Sequence, residues 1–263
     1  GGNRKHFNWL ARSLSHNGWP VVVLDHPGSD SLALEDLVEG RLPLPGAEVI
    51  PDRMKDLDSV LQAKMSGKID ISAENVVLMG HSLGALTAIL ASGVKIDDEL
   101  ENRCQKVLDN LSLTNLSSLL QCQLIDINLP DRTKLVNLSA IIGMNSFGSF
   151  LWQENSDNQM NVPIFLTGGT FDLVTPTISE QLGLLLSVSS NPLSRVLLIE
   201  GASHFSPIRV EEKMYESEGK DLFNLGESIV GYHPLSVQSL LAFEIISFLE
   251  KLEEKKSIPS KTN

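Results

Sequence analysis

The sequence predicts an α/β protein, a mostly parallel central sheet with helices on both faces, folded as one domain over residues 1–263. Three observations carry that expectation. Short apolar runs rich in β-branched residues alternate with segments of helical period. The run Val76-Val77-Leu78-Met79 breaks through Gly80-His81-Ser82-Leu83-Gly84 into a helix of small residues. Two later runs end in loops that carry an aspartate and a histidine, where an open parallel sheet places its ligands.

In chain order, an amphipathic helix is expected from about Asn3 to Asn17, then a strand from Pro20 to Asp25, then a long Pro/Gly loop through Gly46. A helix over Pro51 to Met65 leads to the strand at Val76, and the helix after Ser82 ends near Ser92-Gly93. Residues 95–133 form an insert whose leucines recur at helical spacing over Asp97 to Leu113 and Leu116 to Leu124. Such an apolar layer caps a pocket or is a packing excursion. Strands follow at Ala140 to Met144, Val162 to Thr167 and Arg195 to Ile199, with a helix opening at Thr177 behind Pro176. The acidic stretch Ser206 to Gly231 reads as an exposed, mobile loop. A last helix, Pro234 to Leu252, sets Leu241, Ile245, Phe248 and Leu252 on one face to close the sheet.

A serine at the tip of a tight strand-to-helix turn has an exposed hydroxyl, and the Leu83 N–H in the first helical turn can point at an oxyanion. A serine hydroxyl is a poor nucleophile near neutral pH, so a base must take its proton and a third group must orient that base. His204, in Gly201-Ala202-Ser203-His204, is the expected base, with His26 as its rival because it too follows a strand-like run and sits near the site mouth. Asp172, in Gly169-Thr170-Phe171-Asp172, is the expected acid; Asp25 also ends a run but reads as a turn former, and Asp157 as a solvated loop residue. The aromatics Phe147, Phe150 and Trp152, concentrated in a chain with 5% aromatic residues, are expected to wall an apolar substrate pocket, with core packing as the alternative.

Asp+Glu 33 against Lys+Arg 21 gives a net charge of -12, which disfavours nucleic acid and anionic membranes as partners. No segment reaches the roughly 18 apolar residues of a membrane span. A soluble protein is therefore expected, with the cytoplasm favoured and the oligomeric state open. Metal-ligand spacings, a P-loop and a GxGxxG fingerprint are absent, so neither metal nor cofactor is implied. Cys104 and Cys122 are expected as buried free thiols, although their spacing permits a disulfide if two insert helices pair antiparallel. Sequons begin at Asn110, Asn115 and Asn137, patterns that chance readily supplies.

On Gly80-His81-Ser82-Leu83-Gly84, the Asp172 loop and the Gly201-Ala202-Ser203-His204 loop, the chain resembles the α/β-hydrolases. Asn17-Gly18-Trp19-Pro20 through Asp30-Ser31 is similar to a segment of dienelactone-hydrolase-like and platelet-activating-factor-acetylhydrolase-like esterases. Two departures narrow this. Dienelactone hydrolases carry cysteine where this chain has Ser82, and the acetylhydrolases take their acid after the strand that here ends in Asn145. The resemblance implies a serine hydrolase that cleaves a small-molecule carboxylic ester through an acyl-enzyme, with thioesters and lactones sharing that chemistry. The alternative of another class is a non-hydrolysing receptor that uses the same residues to hold a ligand. The resemblance begins at Gly1-Gly2, the tail of an oxyanion loop. It implies that the N-terminal strands of the fold and the second oxyanion donor precede this chain, and that one of those strands lies between the segments at Val21 and Val76.

Overall fold

The computed structural model describes residues 2–30, 46–109, 116–130, 137–152, 160–208 and 234–257. A 3-10 turn, Arg4–Phe7, leads into α1 (Asn8–His16), and α2 spans Ile50–Met65 with Pro51 in its first turn. Strand β1 (Val76–His81) runs into α3 (Leu83–Ala91). The insert contributes α4 (Leu100–Asp109) and α5 (Leu116–Cys122). Then come β2 (Leu138–Met144), β3 (Ile164–Gly169), a π-helical turn Ile178–Leu182, α6 (Gly183–Val188), β4 (Arg195–Ile199) and α7 (Pro234–Ser257). The 31–45, 153–159 and 209–233 segments, and with them Asp157 and most of the acidic loop, lie outside the described residues, as do Asn110 and Asn115.

The four strands are parallel in the order β1-β2-β3-β4. Both faces are covered, so successive strand residues enter different cores. Leu78, Ile141, Ile164 and Leu166 pack with α2, α3, the insert and α6. Ala140, Ile142, Met144 and Phe165 pack with α1 and α7 on the opposite face, where Leu241, Ile245, Phe248 and Leu252 form the expected stripe. Fully burying one such side chain contributes about 1.5–3 kcal/mol. Arg195 on β4 lies over the Phe165 ring at 4.4 Å and donates to the Glu244 backbone carbonyl at 2.9 Å, joining β4 to α7.

Two sequence expectations are corrected. The segment from Pro20 to Asp25 forms no strand. Among the described residues no backbone hydrogen bond joins it to β1, whose pairing is with β2. An apolar groove of about 610 Å³ separates the two, lined by Val21, Val23, Leu57, Val77 and Met79. Without a ladder partner, an apolar run has the side-chain pattern of a strand but not its hydrogen bonds. The second correction is that Cys104 and Cys122 are joined in a disulfide. Contact between α4 and α5 brings the two Cα atoms to 5.6 Å, a relation that sequence spacing alone left open.

Candidate active site

Ser82 stands between β1 and α3 with φ 53° and ψ -120°, a left-handed conformation costly for any residue with a side chain. The turn can be this tight because Gly80 lacks a side chain: a Cβ there would meet the Gly84 carbonyl carbon at 2.2 Å. The Ser82 N–H donates to Met144 O at 2.8 Å, which ties the turn to the end of β2. Leu83 is the first residue of α3, where a backbone N–H has no intrahelical acceptor.

The loops after β3 and β4 bring the two predicted partners to this turn. Ser82 Oγ lies 3.0 Å from His204 Nε2, and His204 Nδ1 lies 3.0 and 3.1 Å from the two oxygens of Asp172. A carboxylate accepts, so the proton sits on Nδ1 and Nε2 is free to accept from the serine hydroxyl. Asp172 and His204 are both buried. The acid also accepts from Val174 N at 2.9 Å, Thr175 N at 2.7 Å, Thr175 Oγ1 at 2.7 Å and Asn145 Nδ2 at 2.8 Å. Burial pushes its pKa up, but the hydrogen bond and charge of His204, then Thr175 N–H and Asn145, outweigh that. The pKa lies below the ordinary carboxylate value.

These partners of the acid were missed in the sequence. Thr175 had a signal, the Asp-x-x-Thr spacing of a turn in which a side chain caps backbone N–H groups three residues on. Asn145 was legible only as the residue at the strand end that lacks a carboxylate. The rival base is elsewhere: His26 Nδ1 bonds Asp56 Oδ2 at 2.9 Å and its ring lines the groove along β1. Burial, then the Arg53 charge, lowers its pKa despite Asp56. Arg53 itself is buried and donates to Ser29 Oγ and Thr87 Oγ1 at 2.7 and 3.0 Å; burial draws its pKa to about 10, still fully protonated near neutrality.

Phe147 and Trp152, expected on a pocket wall, are core residues instead. Trp152 is buried, and its indole N–H donates to Lys95 O at 2.7 Å. An indole pinned at both ring and N–H has no face left for a ligand. Phe150 is half-buried against the same core, and its backbone N–H donates to Gln121 Oε1 on α5 at 2.7 Å. The insert is clamped further by Glu180, a buried carboxylate that accepts from Ser117 Oγ, from Gln121 Nε2 at 3.1 Å and from the Gly148 and Ser149 N–H groups at 3.1 and 3.2 Å. Among the described residues no group of His, Cys, Asp and Glu could hold a metal ion, and no helix is long and apolar enough to cross a membrane.

A strained serine between strand and helix, with an acid after one later parallel strand and a histidine after the next, decides the architecture. The fold is that of an α/β-hydrolase. No family model and no curated protein matches the chain. Solved structures similar to it include an α/β serine hydrolase homologue from Coxiella burnetii, at 17% identity over 77% of this chain and 69% of that one, TM-score 0.41. Another is a hydrolase of the α/β superfamily from Xanthomonas campestris pv. campestris, at 15% identity over 77% and 84%, TM-score 0.41. A monoacylglycerol lipase from Paleococcus ferrophilus is 16% identical over 94% and 91%, TM-score 0.43.

Proposed function

We propose that the protein is a serine hydrolase that cleaves carboxylic esters through an acyl-enzyme, as one domain with residues 95–133 as a helical insert or cap. The single observation that carries this is the Ser82 Oγ to His204 Nε2 separation of 3.0 Å, with His204 Nδ1 bonded to a buried carboxylate. Ser82 Oγ attacks the ester carbonyl while His204 Nε2 takes its proton, and the Leu83 N–H donates to the oxyanion of the tetrahedral intermediate. Collapse expels the alkoxide, which leaves as the alcohol with the proton from Nε2. Water, deprotonated by His204, then attacks the acyl-serine, and the acid departs as Ser82 regains its proton. Asp172 stays ionised throughout and holds the imidazole in the tautomer this requires.

The disulfide between Cys104 and Cys122 supports an oxidising compartment over the cytoplasm, where thiols are kept reduced. The experiment that tests the activity is a fluorophosphonate probe and a chain-length panel of p-nitrophenyl esters, applied to the wild type and to Ser82→Ala. Labelling and turnover that vanish in Ser82→Ala are expected. Labelling that persists there, or a wild type inert to both, overturns the reading.

A further inference from the structure

His81 occupies the variable position of the Ser82 turn, and no step of the proposed reaction needs an imidazole there. Its side chain is buried, and its Nε2 lies 2.7 Å from the backbone carbonyl oxygen of His204. A carbonyl can only accept, so His81 Nε2 carries the proton and donates. Burial above all, and then the neighbouring His204, holds the His81 pKa well below the ordinary histidine value, which keeps the ring a neutral donor. The two rings also pack against each other, centroids 4.9 Å apart, with Phe7 on His81 at 6.4 Å.

Ser82 follows β1 and His204 follows β4, the two ends of the β1-β2-β3-β4 order, so no shared ladder fixes one against the other. The His204 loop is also held from the β3 side, where Gly201 N donates to Thr170 Oγ1 at 2.9 Å and Phe171 N to Ala202 O at 3.0 Å, from the end of β2, where Asn145 Nδ2 reaches Ser203 O at 3.5 Å, and from α1, where Trp9 Nε1 donates to Pro207 O at 2.9 Å; none of these comes from β1. His81 reaches the loop from the serine's own strand. We propose that His81 is a positioning residue, gripping the backbone of His204 from the position beside Ser82 so that base and nucleophile move as one body. This rests on the hydrolase reading above. Misplacing reacting groups by about 1 Å costs on the order of 100-fold in rate, which sets the scale of what such a grip secures.

The test measures p-nitrophenyl butyrate turnover and the fluorophosphonate labelling rate of Ser82 in the wild type, His81→Leu, His81→Gln and His81→Asn. The Gln amide nitrogen stands about where Nε2 does, whereas that of Asn is one methylene short. Expected are a kcat about 10- to 100-fold lower in His81→Leu and His81→Asn, a KM within about twofold of wild type, and a kcat restored to within about fivefold by His81→Gln. An unchanged kcat in His81→Leu, or equal losses in the Gln and Asn variants, overturns the proposal. The Gln and Asn comparison decides alone if His81→Leu does not fold. A wild type that neither labels nor turns over removes the hydrolase reading and this proposal with it; a wild type that labels at Ser82 with indifferent His81 variants removes only the second.

Discussion

Asn145 Nδ2 donates to Asp172 Oδ2 at 2.8 Å, so the residue just after β2 serves the carboxylate that follows β3. With φ 47°, Asn145 holds a left-handed conformation that Asn and Asp tolerate better than other side chains. Asn145→Asp therefore keeps the backbone but sets two carboxylates in contact, and one must take up a proton. Turnover is expected to fall about tenfold or more, most steeply at acid pH, as read from the pH profile of p-nitrophenyl ester hydrolysis. A profile that overlays the wild type would show that the Asn145 bond does not matter to the acid.

Asp172→Asn replaces an acceptor-only group by one whose amide can also donate, and it frees His204 to adopt the wrong tautomer. Turnover is expected to drop by up to about 10⁴-fold, with the melting temperature changed far less. Steady-state kinetics beside thermal denaturation check both halves.

Reducing the disulfide releases a constraint on a loop with a sequence separation of 18. Loss of such a bridge removes about 2–4 kcal/mol, chiefly through the unfolded chain. Thermal melts with and without a phosphine reductant, and of Cys104→Ala/Cys122→Ala, should show the same drop of several degrees. Melts that coincide would mean that the bridge contributes nothing.

Glu180→Ala leaves the Gly148 and Ser149 N–H groups and the Ser117 and Gln121 side chains without their shared acceptor. Each buried group left unpaired costs about 1–3 kcal/mol, so a loss of about 3 kcal/mol or more is expected in urea unfolding. Faster proteolysis within the insert than in the rest of the domain would accompany it.

His26 and His81 both have pKa values below the ordinary histidine value of 6.5, and Asp172 lies below its ordinary 3.8. For a group depressed on folding, the unfolded chain binds the proton first as pH falls, so the stability it contributes is complete above the unfolded value and lost below it. The two histidines thus weaken the fold as pH drops below about 6.5, by at most about 1.4 kcal/mol per pH unit each, and Asp172 adds to the loss below about 4. Urea titrations from pH 8 to pH 4 should show stability level at the alkaline end and falling through the acid range. His81→Gln should flatten the slope between pH 6.5 and pH 5.

The strand that ends in His81, the turn at Ser82 and the helix beyond it were legible because their signals are local: an apolar run, two glycines and a small-residue helix, within 16 residues of Val76 to Ala91. Asp172 and His204 were legible because each follows a strand with its own apolar pattern, and parallel strands bring their carboxyl ends to one edge. The aromatic cluster misled because Phe147 and Trp152 have the same composition in a pocket wall as in a core. Only the burial of Trp152 in the core, with its indole N–H bonded to Lys95 O, tells the two apart.

The order of serine, acid and histidine, the alternation that buries both sheet faces and the tight turn at Gly80 were determined by the sequence alone, since each rests on periodicity or on backbone freedom within one short segment. Tertiary structure decided the contacts between segments far apart in the chain. Asn145 and Thr175 converge on Asp172, His81 meets the His204 carbonyl, Cys104 pairs with Cys122, and the run at Val21 faces β1 across a groove with no backbone hydrogen bond to it. Local pattern specifies which face of an element is apolar. Which groups meet across elements depends on strand order and helix placement, and these are set by the packing of the whole core.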